Sequence, residues 1–414
     1  MTVRKFVQLV THPKLLRDYL VRRRNRRAAT QHSYVNLQSY VEECPEKAQI
    51  LACRTESLVY AKSLLSFDNE THTGNAIGLP ENFTLATDGE NEIRTTHIHN
   101  ATCFAYSDVI LLDDGRCLYD LKERNELLPY CRFAHDILVE DYDSWCKLKP
   151  WITTNQISRG IKIGGMYGFN FYHLIFQLLP RMFETENIDP SVPLLFDQRV
   201  QDIPNFKQLV DWCNFDGRDI LFLKQGIAYM VQDLFLVTSA NICIPNTKPG
   251  FSLYEPKARF SETSIRQLAQ TFLPHISNKK TPEKVFICRR GATNLRSYNE
   301  EEIVLTLKPY GFEEVNPECL TPAEQIAVFR NAKIIVSPEG AALSNLLFIR
   351  PGCKVIILYC MPGITSEFGT LVLLNGGELT EIYDIPDGDL NHASYQRNYY
   401  IAPKTIQKVI PHLI

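Results

Sequence analysis

The stretch KIIVSPEGAALSNLLF, residues 333–348, decides the fold that this sequence predicts. An apolar run typical of a buried strand stops at Ser337 and Pro338, turns through Glu339 and Gly340, and continues into a helix of small residues. Such a turn leaves unpaired backbone N–H groups at the carboxyl end of the strand, where the helix dipole attracts an anion. The small residues would let an anionic ligand approach the backbone, and they would equally serve to pack a helix tightly on a sheet.

Strands and helices alternate around this stretch. Thr321, Pro322 and Glu324 supply an N-cap, a proline at the first helical position and an acidic third residue, which together predict a helix start. Asn299 and Glu302 predict a second start of the same kind. The predicted strands are VFICRR (285–290), FEEV (312–315), KIIVS (333–337) and KVIILY (354–359). This order is typical of a βαβαβαβ unit with right-handed crossovers, which forms half of a doubly wound parallel sheet.

The region before it, from about residue 160, alternates in the same way. Its predicted helices are NFYHLIFQLLPRMF (170–183), IPNFKQLVDWC (203–213) and SETSIRQLAQTFL (261–273), and its predicted strands are VPLLF (192–196), DILFL (219–223) and LFLVTS (234–239). We therefore expect another parallel sheet with helices on both faces. Upstream, VILLDDGRCLYDL (109–121) predicts a hairpin that turns at 113–115.

The polar stretch PHISNKKTPEK (274–284) is interpreted as the linker between these two units. The predicted domains are therefore a basic N-terminal helix (1–30), an α/β domain with a β-rich lead-in (31–278) and a C-terminal α/β domain (279–414).

Composition limits the class of protein. Of 414 residues, 45% are hydrophobic and 22% are charged, and the formal net charge is -3. The proportion of hydrophobic and charged residues predicts globular domains. The slightly negative net charge does not favour nucleic acid as a partner. The twelve cysteines include no CxxC pair, so we interpret them as reduced thiols of a cytoplasmic protein. The sequence shows no signal-peptide pattern and no apolar run of about 18 residues.

A basic segment lies close to the start of the sequence. Residues 14–27 place six arginines around a short apolar stripe. Such a helix suits an anionic membrane surface, where each basic residue contributes about 1 kcal/mol, and it is equally consistent with a solvated helix. We expect a cytoplasmic protein that can be peripheral at the inner face of the membrane.

A cluster of cations follows the first strand of the C-terminal unit. CRRGATNLRS (288–297) places Arg289, Arg290 and Arg296 at the carboxyl end of that strand, where open α/β sheets bind their ligands. Three guanidinium groups beside a helix N-terminus suit a diphosphate, because each can donate two hydrogen bonds to phosphate oxygens. The alternative is a solvated run of charge.

The helix predicted at 170–183 is apolar except for one narrow stripe. Asn170, His173, Gln177 and Arg181 lie within an arc of roughly 80° at helical spacing. This stripe predicts a polar surface opposite the helix, such as an inter-domain cleft, although a hydrogen-bonded core histidine would also explain it. Pro180 should kink or end the helix near its last turn.

Metal-binding signals are weak in this sequence. The DxD patterns at 141–143 and 387–389 are too short to be specific. His97 and His99 would share one face of a strand, but no third ligand is identifiable from the sequence. No metal site is therefore predicted.

Taken in order along the chain, these motifs resemble glycosyltransferase family 61 over about residues 100–360. The helix NFYHLIFQLLPRMF, the strand end CRRGATNLRS and the segment SPEGAALSNLLF each resemble a family motif. Two positions depart from the family pattern. Glu339 stands where members commonly carry histidine, and Gln177 stands where an acidic residue is common.

The resemblance implies an α/β, GT-B-like fold with two Rossmann-like doubly wound domains facing a cleft. It also implies an inverting glycosyltransferase of polysaccharide biosynthesis that needs neither metal nor cofactor. The donor would be a nucleotide-sugar, with a UDP-sugar as the first candidate, and the acceptor a hydroxyl of a glycan or glycolipid. The alternative is a non-catalytic protein of the same fold that binds a nucleotide-sugar or a glycan.

The implied roles fall on few residues. His173 is the expected catalytic base, since its ordinary pKa lies near neutral pH, and Glu339 is the alternative. The expected donor-binding residues are Asn170, Arg181, Arg289, Arg290, Asn294, Arg296, Gly340, Ala341, Ser344 and Asn345.

Overall fold

The structure is a computed structural model. It describes residues 21, 24–26, 28–65, 74–118, 136–142, 144–244, 258–290, 297–363, 365–385 and 397–412. Most of the basic segment at 14–27 therefore lies outside the described residues. Within the part of the chain that is described, no helix has both the length and the apolar character needed to cross a bilayer.

The fold is mixed α/β, as the sequence predicts. The strands are β1 (Thr30–Ser33), β2 (Ala48–Ser63), β3 (Gly74–Gly78), β4 (Phe83–Phe104), β5 (Ile110–Leu111), β6 (Cys117–Leu118), β7 (Leu138–Asp141), β8 (Trp145–Leu148), β9 (Thr153–Lys162), β10 (Leu194–Asp197), β11 (Ile220–Leu223), β12 (Ile227–Val237), β13 (Ile242–Cys243), β14 (Ala258–Ser261), β15 (Lys284–Ile287), β16 (Glu313–Val315), β17 (Ile334–Pro338), β18 (Lys354–Tyr359), β19 (Thr365–Ser366) and β20 (Glu378–Ile385). The α-helices are α1 (Leu37–Glu43), α2 (Phe171–His173), α3 (Leu179–Met182), α4 (Gln198–Asp202), α5 (Pro204–Cys213), α6 (Glu262–Phe272), α7 (Glu300–Leu307), α8 (Pro322–Asn331), α9 (Glu367–Leu374) and α10 (Pro403–Val409).

The larger sheet has the strand order β11-β10-β9-β12-β4-β2-β14-β13. β9, β10, β11 and β12 run parallel to their neighbours within this group, as predicted. The expectation of a wholly parallel sheet is wrong, because β4 pairs antiparallel with both β12 and β2. β2 and β4 are long, with 16 and 22 residues, and polar residues occupy many positions on both of their faces. No clean alternation therefore marks these two strands in the sequence.

The hairpin predicted at 109–121 is confirmed for its described residues. β5 and β6 pair antiparallel, and β5 adds to β4. Gly115 closes the turn with a φ of 86°, a left-handed conformation that favours glycine.

The smaller sheet has the order β16-β15-β17-β18-β20-β3. Its first five strands are parallel, so the predicted βαβαβαβ unit is confirmed. In chain order these five strands read 2-1-3-4-5, and the direction of winding therefore reverses between β15 and β17.

The two predicted helix starts of this unit differ in their capping. At Thr321 the capping box is confirmed, since Thr321 and Glu324 each bond the backbone N–H of the other. At Asn299 the predicted helix start is confirmed, since α7 begins at the next residue and Asn299 occupies the N-cap position, but the predicted cap bond is absent. Its side-chain amide pairs with both backbone groups of Ile401, at 2.9 and 3.0 Å, and makes no cap bond to its own helix.

The two sheets exchange strands across the boundary expected near residue 278. β3 comes from the first part of the chain and forms the antiparallel edge of the smaller sheet. β19 comes from the last part and pairs with β2 of the larger sheet. Each sheet therefore contains backbone from both ends of the chain.

The two sheets also share one apolar core. Tyr172 lies edge-on to Phe368 with ring centroids 5.6 Å apart, and Phe272 lies edge-on to Phe348 at 6.2 Å. In each pair one ring belongs to each part of the chain. Burial of such side chains contributes about 1.5–3 kcal/mol each, so this interface adds substantially to the stability of the fold.

Candidate functional site

The direction of winding reverses between β15 and β17, and the carboxyl ends of these two strands at this switch point are called the crossover below. The crossover brings two predicted donor-binding segments together. Arg289 follows β15, and Glu339 and Gly340 directly follow β17. Nη1 of Arg289 donates to the backbone carbonyl of Glu339 at 3.0 Å. A Cβ on Gly340 would lie 3.7 Å from the same Nη1, so the guanidinium lies directly beside this backbone. Open α/β sheets bind ligands at such a crossover.

The segment after Gly340 forms a 3-10 helix, Ala341–Phe348. Its first turn is half-buried at Ala341, which leaves the backbone there accessible from the crossover. Ser344 and Asn345 turn inward and are buried. Nδ2 of Asn345 donates to Oε1 of Gln325 at 2.9 Å, which ties this helix to α8. Of the predicted residues in this segment, Gly340 and Ala341 therefore lie nearest the crossover, and the other two pack inside.

Arg290 points away from Arg289. Its Nη2 donates to Glu314 at 2.9 Å and its Nε to Glu300 at 3.4 Å, and its side chain is exposed. The side chain of Glu300 also accepts the backbone N–H of Arg289 at 3.0 Å. The remaining two residues of this cluster, Asn294 and Arg296, lie outside the described residues.

The helix predicted at 170–183 forms in three parts. It begins as α2, widens into a π-helix at Leu174–Leu178 and ends as α3. Pro180 explains the change, because it cannot donate a hydrogen bond to the carbonyl of Phe176 four residues earlier. Nδ2 of Asn241 donates to that carbonyl instead, at 2.9 Å. π-Helical turns of this kind occur frequently at functional sites.

His173 and Asn170 lie at the start of this helix. Oδ1 of Asn170 accepts the backbone N–H of Tyr172 at 2.9 Å, so its side chain caps the helix. His173 is 9% exposed and its Nδ1 bonds to Oε1 of Gln177 at 2.7 Å. Burial lowers the pKa of His173 to about 4, while the Gln177 bond and the charge of Asp108 act in the opposite direction. His173 is therefore neutral at pH 7.

Aromatic rings extend from His173 to the surface. Tyr167 stacks on the imidazole with centroids 5.2 Å apart, and Phe169 lies 5.7 Å from Tyr167 and 6.3 Å from Tyr106. Phe169 is 49% exposed. Tyr106 and Tyr167 have φ values of 56° and 60°, which are costly for residues with a side chain and tend to cluster at functional sites. No periodic pattern marks this group in the sequence, because all three residues lie in loops.

Arg181 faces its own sheet. Its Nη2 donates to Oδ1 of Asp108 at 3.0 Å and its Nη1 to the carbonyl of Ile163 at 3.1 Å. Arg181 is 7% exposed and the side chain of Asp108 is 13% exposed, so this ion pair is largely buried. Removing one partner of such a pair typically costs about 3–5 kcal/mol, because the other charge stays buried.

A glycine-rich loop after β9 completes this side of the site. The backbone N–H of Gly165 donates to Asp197 and that of Met166 to Asp108, both at 3.0 Å. A Cβ on Gly165 would lie 2.4 Å from Oδ1 of Asp108, so the position requires glycine. Burial raises the pKa of Asp197. The signal for this loop was available in the sequence, since IKIGGMYGFN (161–170) joins a strand to a helix.

A chain of neighbours connects the two candidate bases. Burial, and then the charges of Glu381 and Glu339, raise the pKa of Tyr359 well above its usual value. Burial also raises the pKa of Tyr172, and the charge of the nearby Tyr359 adds to this increase. The ring of Tyr172 lies 5.3 Å from that of His173. His173, in α2, and Glu339, directly after β17, therefore border the same buried junction.

The structure describes one of the four aspartates in the two DxD patterns. Asp141 accepts a hydrogen bond from the hydroxyl of Tyr34 at 2.9 Å, and Asp143, Asp387 and Asp389 lie outside the described residues.

Comparison with known families decides the assignment. The sequence model of the family described as Glycosyltransferase 61 matches residues 171–356. Residues 171–356 belong to glycosyltransferase family 61. No curated protein matches the chain.

The resemblance seen in the motifs is thereby confirmed over residues 171–356. The match of this region to glycosyltransferase family 61 indicates a glycosyltransferase, which acts on a sugar donor and an acceptor. The matched region runs from α2 to β18 and contains His173, Arg289 and Glu339. The two candidate bases and Arg289 therefore lie within the matched region, whereas Asn170 and the aromatic group of Tyr106, Tyr167 and Phe169 precede it.

Proposed function

We propose that this glycosyltransferase is an inverting, metal-independent enzyme that binds a nucleotide-sugar between its two α/β sheets in a GT-B-like manner. The observation that carries the proposal is the bond from Arg289 to the carbonyl of Glu339. It holds a guanidinium beside the backbone of Gly340 and Ala341. A donor diphosphate at this point would meet both a cation and backbone N–H groups at a helix start.

His173 is the proposed catalytic base. Because Oε1 of Gln177 accepts from Nδ1, Nε2 keeps the lone pair that can take a proton. The acceptor oxygen bonds to the anomeric carbon as the carbon–oxygen bond to the diphosphate breaks. The acceptor proton passes to Nε2, and the bonding electrons leave with the diphosphate. A diphosphate bound nearby adds negative charge, which would raise the pKa of His173 from about 4 and make it a stronger base.

The acceptor is proposed to lie on the aromatic group of Tyr106, Tyr167 and Phe169. An exposed ring beside the base offers the amphipathic surface that a glycan or glycolipid needs. Asn170 and Arg181 are proposed as positioning residues, since the first caps the helix and the second holds Asp108.

Stabilisation of the leaving group is proposed to need no divalent ion. Arg289 is the described cation at the crossover, and Arg296 is a candidate for a second one. Transfer should therefore persist in EDTA, and loss of transfer that manganese restores would contradict this part of the proposal.

Two adjacent arginines provide the matched test of the donor site. Arg289→Ala should weaken binding of UDP and UDP-sugars by roughly ten- to hundredfold, because charge-assisted hydrogen bonds contribute about 1.5–3 kcal/mol. Arg290→Ala removes the same charge one position away, where Glu300 and Glu314 hold the guanidinium, and should leave affinity near the wild-type value. Calorimetric titration measures both variants. Equal losses of affinity in the two variants would place the diphosphate elsewhere. Donor binding by the wild type without hydrolysis or transfer would instead identify a non-catalytic binding protein.

A further inference from the structure

A second cluster of potential ligands lies on the larger sheet, away from the crossover. His97 and His99 lie two positions apart on β4, and Asp233 lies directly opposite His99 on β12. Alternate residues of a strand share one face of the sheet, so the two imidazoles lie side by side. The pairing of β4 with β12 supplies the third ligand, which is distant in sequence.

The ligand atoms are close to metal-binding geometry. Oδ1 of Asp233 lies 3.0 Å from Nε2 of His97 and 2.8 Å from Nδ1 of His99. One ligand atom from each residue lies within 4.8 Å of the others. Tetrahedral zinc, with bonds of about 2.0–2.2 Å, keeps its ligand atoms about 3.3 Å apart. The carboxylate would therefore shift by roughly half an ångström, and the half-exposed imidazole of His99 would reach the ion by rotation of its side chain.

Neighbouring rings fix one of these imidazoles. His97 stacks on Phe235 with centroids 4.7 Å apart and an interplanar angle of 13°. Its ring centroid lies 4.3 Å from that of His99. The side chain of His99 is 46% exposed and that of Asp233 is 26% exposed, so water can reach a fourth coordination position.

The basic side chain that pairs with Asp233 in the sheet register makes its contacts away from the cluster. Arg159 lies opposite Asp233 on β9. Its Nη1 donates to Asp189 and its Nη2 to Ser191, both at 3.1 Å. The guanidinium is therefore engaged with another carboxylate.

The cluster lies at the far end of the helix that carries His173. Thr95, on the same face as His97, donates its hydroxyl to the carbonyl of Glu184 at 3.0 Å, just beyond the end of α3. Glu184 lies eleven positions after His173, and the helical stretch from His173 to Met182 spans roughly 13 Å. An ion at this cluster would not contact the donor diphosphate.

We propose that His97, His99 and Asp233 form a zinc-binding site that joins β4 to β12. Two imidazole nitrogens and one carboxylate oxygen suit Zn²⁺ among the common divalent ions, and three protein ligands leave one position for water. An ion held by both strands stabilises the folded chain, because the unfolded chain does not bring the ligands together.

The test uses the full chain after removal of metal with a chelator. Zinc affinity and stoichiometry are measured by competition with a chromophoric chelator, and Co²⁺ serves as a spectroscopic probe of tetrahedral nitrogen and oxygen ligation. The variants are His99→Ala and Asp233→Asn, both at partly exposed positions, and the control is His32→Ala on β1.

Wild type and the His32 variant should bind one equivalent of zinc and melt at a higher temperature when zinc is added. Each ligand variant should lose at least about tenfold in affinity and show no zinc-dependent rise in melting temperature. The proposal is overturned if wild type binds neither zinc nor cobalt, or if both ligand variants bind as tightly as wild type.

Discussion

His173 and Gln177 are joined by a 2.7 Å hydrogen bond between Nδ1 and Oε1. The orientation of the amide follows from its other end, where Nε2 of Gln177 donates to the carbonyl of Cys243 at 3.3 Å. An amide oxygen can only accept, so Nδ1 carries the imidazole proton and Nε2 presents its lone pair. The neutral amide of Gln177 thus sets the imidazole tautomer in which Nε2 can act as a general base.

Removal of the imidazole should abolish transfer while donor binding persists. General bases typically contribute 10²- to 10⁴-fold to the rate, so His173→Ala should lose about that much in kcat. Glu339→Gln should mainly change the choice of donor sugar. Transfer rates and nucleotide affinity are measured for both variants. Full activity in His173→Ala together with none in Glu339→Gln would assign the base to Glu339.

An acidic partner should make the same imidazole a stronger base. Gln177→Glu places a carboxylate where Oε1 now accepts from Nδ1, and a neighbouring negative charge raises the pKa of His173 from about 4. The acid limb of the kcat/KM profile should therefore move to higher pH. Gln198→Glu, which adds the same charge on α4, is the control. An acid limb that stays in place would show that His173 does not titrate in the reaction.

Loss of the exposed Phe169 ring should weaken binding of the acceptor and leave binding of the donor unchanged. Phe169→Ala removes a half-exposed ring that contacts Tyr167 beside the base. A ring contact contributes about 0.5–1.5 kcal/mol, so the KM for acceptor should rise roughly two- to tenfold at unchanged donor affinity. Phe215→Ala, at another exposed ring, should change neither value. Weaker donor binding in Phe169→Ala would move this ring out of the acceptor site.

Buried Glu381 should make the protein less stable as pH rises. Burial raises the pKa of Glu381 to about 7 from an ordinary value of 4.5. Between these two values the unfolded chain releases the proton while the folded chain retains it, so the free energy of unfolding falls as pH rises. Complete loss is on the order of 3 kcal/mol at 1.36 kcal/mol for each pKa unit.

Glu381→Gln should remove this dependence. Urea unfolding at pH 5 and pH 8 should show a smaller decrease in the variant than in wild type. Glu378→Gln, at an exposed position of the same strand, should behave as wild type. Identical decreases in all three proteins would mean that Glu381 is ionised in the folded state throughout this range.

The C-terminal unit could be predicted from sequence because its signals are local. A buried strand such as β17 is a continuous apolar run, and Thr321 and Glu324 mark a helix start within four residues. β2 and β4 gave no such signal, because their pairing with strands distant in sequence, rather than apolar alternation, holds them in the sheet.

The site divides in the same way. Arg289 and Gly340 were predicted because each ends a recognisable strand. Asp108, Tyr106 and Asp233 were not, since each gains its role from a contact with a residue distant in sequence. The side-chain direction of Arg290 was not predicted either. It depends on a contact with Glu314, which lies 24 positions later and is not evident from the residues at the strand end.

The exchange of β3 and β19 between the sheets has a consequence for biosynthesis. During translation, β3 leaves the ribosome about 300 residues before β20, its only strand neighbour in the smaller sheet among the described residues. The early part of the chain must therefore wait with an unpaired strand until β20 has been synthesised. Such long-range pairing is slow to form and exposes strand edges meanwhile, so nascent chains of this protein should depend on chaperones more than those of a protein whose halves fold in succession.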